Sequence, residues 1–434
     1  MADPQLMFRF NEPGIRAAVE RANNEAWNWE DCTYRAHLYG LTAKQFWLVI
    51  KMARWADRVT IPLTDRSGKP FTYRLPAEAF RVLHLIDKHL GGSVGTSFPQ
   101  LGSEADRNRY LLTSLREEAI SSSQIEGAVV TREVAKELLR TKRAPRTEHE
   151  RMVLNNYLTI RMVNDRHGEP VTPDVVCEIQ RRLTDGTLAP TALARFRRAD
   201  EDIAVWDDED NVRLHVPPAA GELPDRVRRM CDFANEADSG KAGFIHPAVR
   251  AIILHFWLAY DHPFVDGNGR TARALFYWSM LRDGYWLAEY LTISTVINGQ
   301  KKRYARAYLD TEHDDNDLTY FIVYHLSVIE QSITAFRAYL ERKIRDQREA
   351  TRVLAGPFNN RQRALLALAS RNPTARFTYS SHAASHGVSI PTARADLLDL
   401  EAHDLLTSRR VGRQLEFAPA PGLEARIRQI ADGQ

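Results

Sequence analysis

The feature that most constrains this chain is a break between two helices. The apolar run 248–260 (AVRAIILHFWLAY) reads as one buried helix. Pro263 stops it, because proline brings no N–H and clashes with the preceding turn. Twelve residues, His262-Pro-Phe-Val-Asp-Gly-Asn-Gly-Arg-Thr-Ala-Arg273, then lead into a second helix that starts near Arg270. Gly267 and Gly269 open backbone conformations that other residues avoid. A glycine loop feeding a helix start aims several N–H groups at one point, which makes an anion site. Arg270 and Arg273 are three apart, so both can reach one ligand, and their planar forks suit phosphate. Asp266 supplies a single carboxylate of the kind that shares Mg²⁺ with phosphate oxygens. His262 stands at the mouth and titrates near neutral pH when unperturbed. Each residue has a plainer reading alone: a structural histidine, an ordinary turn, a solvated arginine face. Together, within twelve residues, they point to phosphoryl or nucleotidyl transfer.

Length and composition bound the setting. The 434 residues suggest two to four domains. Hydrophobic content of 44% and charged content of 26% are those of an ordinary globular protein with a core large enough to need no staple. A net charge of +3 announces neither nucleic acid nor membrane. Cys32, Cys177 and Cys231 form no disulfide or metal pattern and suit a reducing cytoplasm. The N-terminus does not read as a signal peptide, and no apolar run is long enough to span a bilayer, so no membrane partner is expected.

Along the chain the expectation is mainly α. Residues 1–100 form an N-terminal region of unknown role, with a helix over 43–56 carrying Phe46, Val49, Ile50 and Met52 on one side, then a hairpin over 61–75. The Gly-, Ser- and Pro-rich stretch 91–102 reads as a linker. Residues 101–345 read as helix after helix, interrupted at 202–216 by a β-hairpin around an acidic turn, Asp207-Asp-Glu-Asp210. Residues 342–352 form a charged helical tail or linker. Three helices (361–370, 380–386, 389–402) and two strands over 405–417 make a C-terminal winged helix-turn-helix over 355–434.

The twelve-residue stretch resembles the signature of the Fic family, HPFx(D/E)GN(G/K)RxxR, at every fixed position, and the likeness covers roughly residues 101–345. It implies an all-helical Fic core with a β-hairpin flap, and transfer of AMP from ATP, with Mg²⁺, to a Ser, Thr or Tyr hydroxyl of a target protein. By the same resemblance His262 takes the hydroxyl proton and Asp266 holds the metal. Gly267, Asn268 and Gly269 form the anion hole, Arg270 and Arg273 grip the outer phosphates, and Thr271 and Ala272 complete the nucleotide-binding stretch. Phe264 packs inward and orients the loop. Tyr304 resembles a tyrosine near the base; stacking on adenine and core packing both stay open for it.

Upstream, Ser122-Ser-Gln-Ile-Glu126-Gly127 is similar to the family's inhibitory motif (S/T)xxxE(G/N). The resemblance implies that Glu126 pairs with Arg273 and blocks the γ-phosphate within one chain. The alternative is a helix capping box, since Ser123 and Glu126 also fit S-x-x-E. The hairpin corresponds to the family's target-docking flap, open to an extended segment or simply a solvated loop. A winged helix serves DNA binding or protein docking and dimerisation. Arg409, Arg410 and Arg413 on the wing favour DNA, whereas the acidic third helix does not. Self-modification is a further expectation. Two other functions stay in view: a nucleotide-sensing DNA-associated regulator, and AMP removal with Glu126 positioning water.

Overall fold

The computed structural model describes residue 9 and residues 12–91, 104–207, 212–236, 243–355, 358–372, 374–411 and 414–431. The expected linker over 91–102 falls almost wholly outside them. The fold is mainly α, with three two-stranded antiparallel hairpins among the described residues. By compactness the chain divides into two units, Met1–Phe336 and Arg337–Gln434.

The first unit opens with α1 (Pro13–Asn24), α2 (Trp29–Arg35) and α3 (Ala43–Trp55). Thr42 and Gln45 close a reciprocal capping box that starts α3. Strands β1 (Val59–Thr64) and β2 (Pro70–Tyr73) follow, joined by a turn in which the Asp65 carboxylate accepts from the Ser67 and Lys69 N–H groups. Helix α4 is Ala77–Leu90. These elements are tied to the rest by buried charge. Arg54, 2% exposed, donates to Asn23 Oδ1, Trp27 O and Tyr320 OH, and Lys51 meets Asp314 at 2.6 Å. A guanidinium this buried needs each of those acceptors.

Next come α5 (Glu104–Ile125), α6 (Arg132–Thr141), α7 (Glu148–Arg166), α8 (Pro173–Thr184), the hairpin β3 (Val205–Asp207) with β4 (Val212–His215), and α9 (Leu223–Asn235). Thr131, Thr147 and Thr172 each cap the following helix with a side-chain oxygen. Two helices form the centre: α10 (Pro247–Asp261) and α11 (Asn268–Arg282). Both are buried on nearly every side, so their sequences lack the usual polar face. Helices α12 (Ile293–Asn298), α13 (Lys301–His313) and α14 (Thr319–Ala355), which continues past the unit's end at Phe336, complete the run.

The side of α3 that carries Met52 differs from the expected one. Phe46, Val49 and Ile50 face the core, but Met52 is 41% exposed. At about 100° per residue it stands some two-thirds of a turn round from Phe46, on the outer side of α3.

The second unit holds α15 (Asn360–Arg371), α16 (Tyr379–His386), α17 (Ile390–Ala402), strands β5 (Leu406–Val411) and β6 (Gln414–Pro419), and α18 (Leu423–Ala431), a helix beyond the expected three helices and two strands. Leu365, Leu366, Leu397, Leu400, Phe417 and Ile427 share its core. In register, Arg409 lies opposite Glu416 and is bonded to it at 2.6 Å, so this wing arginine is already paired. Arg410 is exposed, and Arg413 lies outside the described residues.

Candidate active site

The site is built where α10 ends and α11 begins. His262 caps α10 in the left-handed region, φ 46°, an unusual place for a residue with a Cβ. Its backbone N–H closes the last turn onto Leu258 O at 2.9 Å. Its Nδ1 lies 3.2 Å from Ala259 O. A carbonyl only accepts, so Nδ1 carries the proton and Nε2 is left with a lone pair. Burial pushes the imidazole pKa down to about 4, outweighing the opposite pull of Ala259 O, so the ring is neutral at ordinary pH.

The loop is held by its own asparagine. Asn268 Oδ1 accepts from Phe264 N at 2.9 Å, and its Nδ2 donates to Phe264 O at 2.8 Å. Phe264 is fully buried beside Phe196, as an inward anchor should be. Gly267 sits at φ 86°, and a Cβ there would come 2.9 Å from Thr184 Cγ2; backbone and space both demand glycine. The α11 start carries no side-chain cap, so its first N–H groups are not taken by one.

Glu126 closes the arrangement. It follows the last residue of α5, so it ends a helix rather than starting one, and the capping-box alternative falls. Ser123 Oγ instead bonds back to Ala119 O at 2.8 Å. The Glu126 carboxylate is 2.9 Å from Arg273 Nη2, while Arg273 Nε and Nη2 also reach Ser122 Oγ and O at 2.8 and 3.1 Å. A Cβ on Gly269 would meet Glu126 Oε1 at 2.3 Å, so the carboxylate lies directly over the start of α11, where an anion would sit. Burial pushes the Glu126 carboxyl up, but Arg273 and then Arg270 pull it further down, and it is held ionised. Gly127, at φ 86°, turns the chain away. The buried Arg273 Nη1 has no hydrogen-bond partner, a donor still to be satisfied.

The other expected residues are placed unevenly. Arg270 is buried and gives its Nη groups to Leu183 O at 3.0 Å and Asp266 Oδ2 at 2.9 Å; its Nε is unpartnered. Asp266 itself is half-exposed at the loop mouth. The Thr271 and Ala272 side chains are fully buried within the packing of α11. The Tyr304 hydroxyl points into an aromatic cluster, within bonding distance of His255 Nε2 (2.9 Å) and Tyr308 OH (3.1 Å), although it feels the charge of Arg273. The hairpin is fixed beside His262, because His215 at the end of β4 bonds Tyr260 O through Nε2 at 2.7 Å. Most of the acidic turn, residues 208–210, lies outside the described residues.

Two residues outside the twelve-residue stretch organise the loop. Arg197 Nε donates to His262 O at 2.8 Å, its Nη2 to Pro218 O at 2.5 Å, and its backbone N to Pro263 O at 2.8 Å. Gln180 Nε2 donates to Asp266 O at 3.2 Å while its Oε1 accepts from Ala194 N. Neither belongs to a local motif, since both act from elsewhere in the chain.

Comparison with known proteins agrees with the geometry. Residues 170–280 match the sequence model of the Fic/DOC family. Protein adenylyltransferase Fic of Nematostella vectensis is 30% identical over 224 residues, 50% of this chain and 47% of that protein. Its namesake in Drosophila willistoni is 30% identical over 166 residues, 37% of this chain and 31% of that protein. The chain thus spans less than half the length of these two curated relatives. A Fic family protein of known crystal structure from Desulfovibrio desulfuricans G20 shares the fold, with a TM-score of 0.52 at 20% identity, over 79% of this chain and 96% of that one. Among the described residues no helix is long and apolar enough to cross a membrane.

Proposed function

We propose that this chain, through its Fic domain, is a protein adenylyltransferase that moves AMP from ATP onto a Ser, Thr or Tyr hydroxyl of a target protein, and that Glu126 restrains it. The observation that carries the reading is the ion pair of buried Arg273 with half-buried Glu126, lying over an uncapped helix start beside His262, whose Nδ1 is turned to Ala259 O. Anion site, charge-matched blocker and base meet at one point.

The target hydroxyl oxygen attacks the α-phosphorus, the bond from that phosphorus to the bridging oxygen breaks, and pyrophosphate leaves. His262 Nε2 takes the hydroxyl proton; the Ala259 carbonyl fixes the tautomer that leaves this lone pair available. The α11 N–H groups and Arg273 face the phosphate charge, the kind of preorganised stabilisation on which phosphoryl chemistry depends. The site fits Mg²⁺: Asp266, half-exposed with Oδ2 on Arg270, is the single carboxylate that a hard cation shares with phosphate oxygens. Bound there, the metal would neutralise phosphate charge. The hairpin at β3–β4, with Trp206 exposed, would present the target. With three free cysteines and no membrane-spanning helix among the described residues, a cytoplasmic setting fits. For the second unit, protein docking fits better than DNA, because Glu416 neutralises Arg409.

An ionised Glu126 above Gly269 also favours a second reading, AMP removal with Glu126 as base for water. One experiment separates the two. Wild type, Glu126→Gly, and Glu126→Gly with His262→Ala are incubated with α-labelled ATP, Mg²⁺ and cell lysate. Transfer under restraint gives weak, strong and no protein labelling, respectively. If Glu126→Gly labels no better than wild type but loses the release of AMP from labelled protein, removal is the activity.

A further inference from the structure

Helix α3 carries two apolar stripes. The inner one, Phe46, Val49 and Ile50, is in the core. The outer one, Leu48, Met52 and Trp55, recurs at helical spacing but faces solvent, with Leu48 40% and Trp55 74% exposed, and Trp47, half-buried against the core, flanks it. Trp29 from α2, 43% exposed, stands edge-on to Trp47 at 6.0 Å and forms a wall. Arg58 and Asp315 close the end, leaving a groove of about 820 Å³. A soluble protein seldom exposes so continuous an apolar strip unless something covers it.

The charge of the groove says what. Lys44, Lys51 and Arg58 line it against Asp315 alone. Asp315 is already met by Lys69 at 2.7 Å, and Lys51 by Asp314 at 2.6 Å. The Arg58 guanidinium lies over the Trp55 ring, 5.5 Å from its centroid. Its Nε and Nη2 are shielded from solvent and have no hydrogen-bond partner. Those two N–H groups form the side-on edge with which an arginine grips a carboxylate in pairs. A second copy of the chain is a poor occupant, since its own α3 stripe would bring Lys44, Lys51 and Arg58 against like charges. An anionic membrane is a poorer occupant, because a broad lipid surface does not fill a groove walled by Trp29 and closed by Arg58 and Asp315.

We infer that the outer face of α3 is a docking groove for an acidic, amphipathic segment of a partner protein. Its large apolar side chains seat among Trp47, Leu48, Met52 and Trp55, and one carboxylate pairs with Arg58 as its guanidinium turns from over Trp55 into the groove. The inference does not depend on AMP transfer.

The probe is a phage-displayed library of random peptides about twelve residues long, selected against the full chain. Enriched peptides are then synthesised with a fluorophore and titrated by anisotropy. We expect peptides that mix Asp or Glu with Leu, Phe or Met. Their affinity falls about tenfold or more for Arg58→Gln, for Trp55→Ala, and when their acids become amides. Both replaced side chains lie off the core, and unchanged thermal unfolding of the variants confirms that the fold is intact. The inference is overturned by enrichment of basic peptides, by no enrichment, or by affinities that both variants leave unchanged. It is equally overturned if phosphatidylserine–phosphatidylcholine vesicles sediment the wild type but not Trp55→Ala, or if the chain self-associates through a contact that Met52→Glu abolishes.

Discussion

Glu126→Gln keeps the shape of the restraining side chain and removes its charge. In the free protein Arg273 retains Ser122 Oγ at 2.8 Å and Ser122 O at 3.1 Å, and exchanges a charge-assisted bond to Glu126 for a neutral one. The difference between those two kinds of bond is about 1–2 kcal/mol. The free variant should therefore be less stable than wild type by about that amount. In the nucleotide complex the sign reverses. A phosphate oxygen competing for Arg273 meets a weaker rival, so the triphosphate should bind about tenfold more tightly. The two readouts move in opposite directions, and this makes the test discriminating: a Glu126 that served only to hold the fold would lower stability and affinity together. The assays are denaturant unfolding of the free chain and calorimetric titration with a non-hydrolysable ATP analogue and Mg²⁺. Affinity within about twofold of wild type, or a fall in both quantities, would refute the idea that the carboxylate occupies phosphate space.

Other consequences follow from the same geometry. His262→Ala should abolish protein labelling, and the pH profile of transfer by Glu126→Gly should stay flat from neutral pH down through the usual histidine range, its acid limb falling at or below about 4, because the variant also loses the carboxylate that raises the value; a limb near the ordinary 6.5 would contradict the burial of that ring. Because His262 is held neutral, the unfolded chain binds its proton first as pH falls. Stability should drop between pH 6.5 and about 4, by up to about 3 kcal/mol for this group, and His255 and His325, also lowered by burial, add in the same direction. Urea midpoints measured across that range, for wild type and His262→Ala, test the sign. Arg197→Ala leaves the carbonyls of His262 and Pro218 without a donor, so we expect a stability loss of about 2–4 kcal/mol and a fall in kcat larger than any rise in KM. Arg197→Lys should restore only part of kcat, since an ammonium cannot reproduce the fork. Gly267→Ala, forced to φ 86° with its Cβ against Thr184, should cost about 1–3 kcal/mol in unfolding measurements.

The twelve-residue stretch was legible because its chemistry is local. A proline stop, two glycines and a helix start fix where His262, Asp266 and Arg273 can lie, and the neighbouring residues supply the restraints, as Asn268 does by bonding Phe264 on both sides. Arg197 and Gln180 were not legible for the opposite reason. Their partners are backbone carbonyls 65 and 86 positions away, and a carbonyl has no side-chain identity that a sequence pattern could single out. Glu126 falls between these cases. Its serine-to-glutamate spacing also fits a helix start, and only its position after the end of α5 decides between the two.

Helix α3 shows where periodicity itself is ambiguous. A stripe at helical spacing says that a face is apolar, and by default such a face is assigned to the core. Residues 46–55 contain two such stripes, so pattern alone groups Met52 with Phe46 although they stand on different faces. What separates them is Arg54. Its guanidinium reaches Trp27 O, Asn23 and Tyr320, which commits its side of the helix inward. That commitment sets the rotation of α3 and turns Trp47, Leu48, Met52 and Trp55 toward the groove. If Arg54 sets that rotation, Arg54→Met should loosen the seating of α3 and weaken peptide binding at Arg58 even though it touches no groove residue but Trp47. An Arg54→Met chain that unfolds more easily yet binds the acidic peptide with wild-type affinity would show instead that the outer stripe is held by its own aromatic contacts, Trp29 against Trp47 and Arg58 over Trp55.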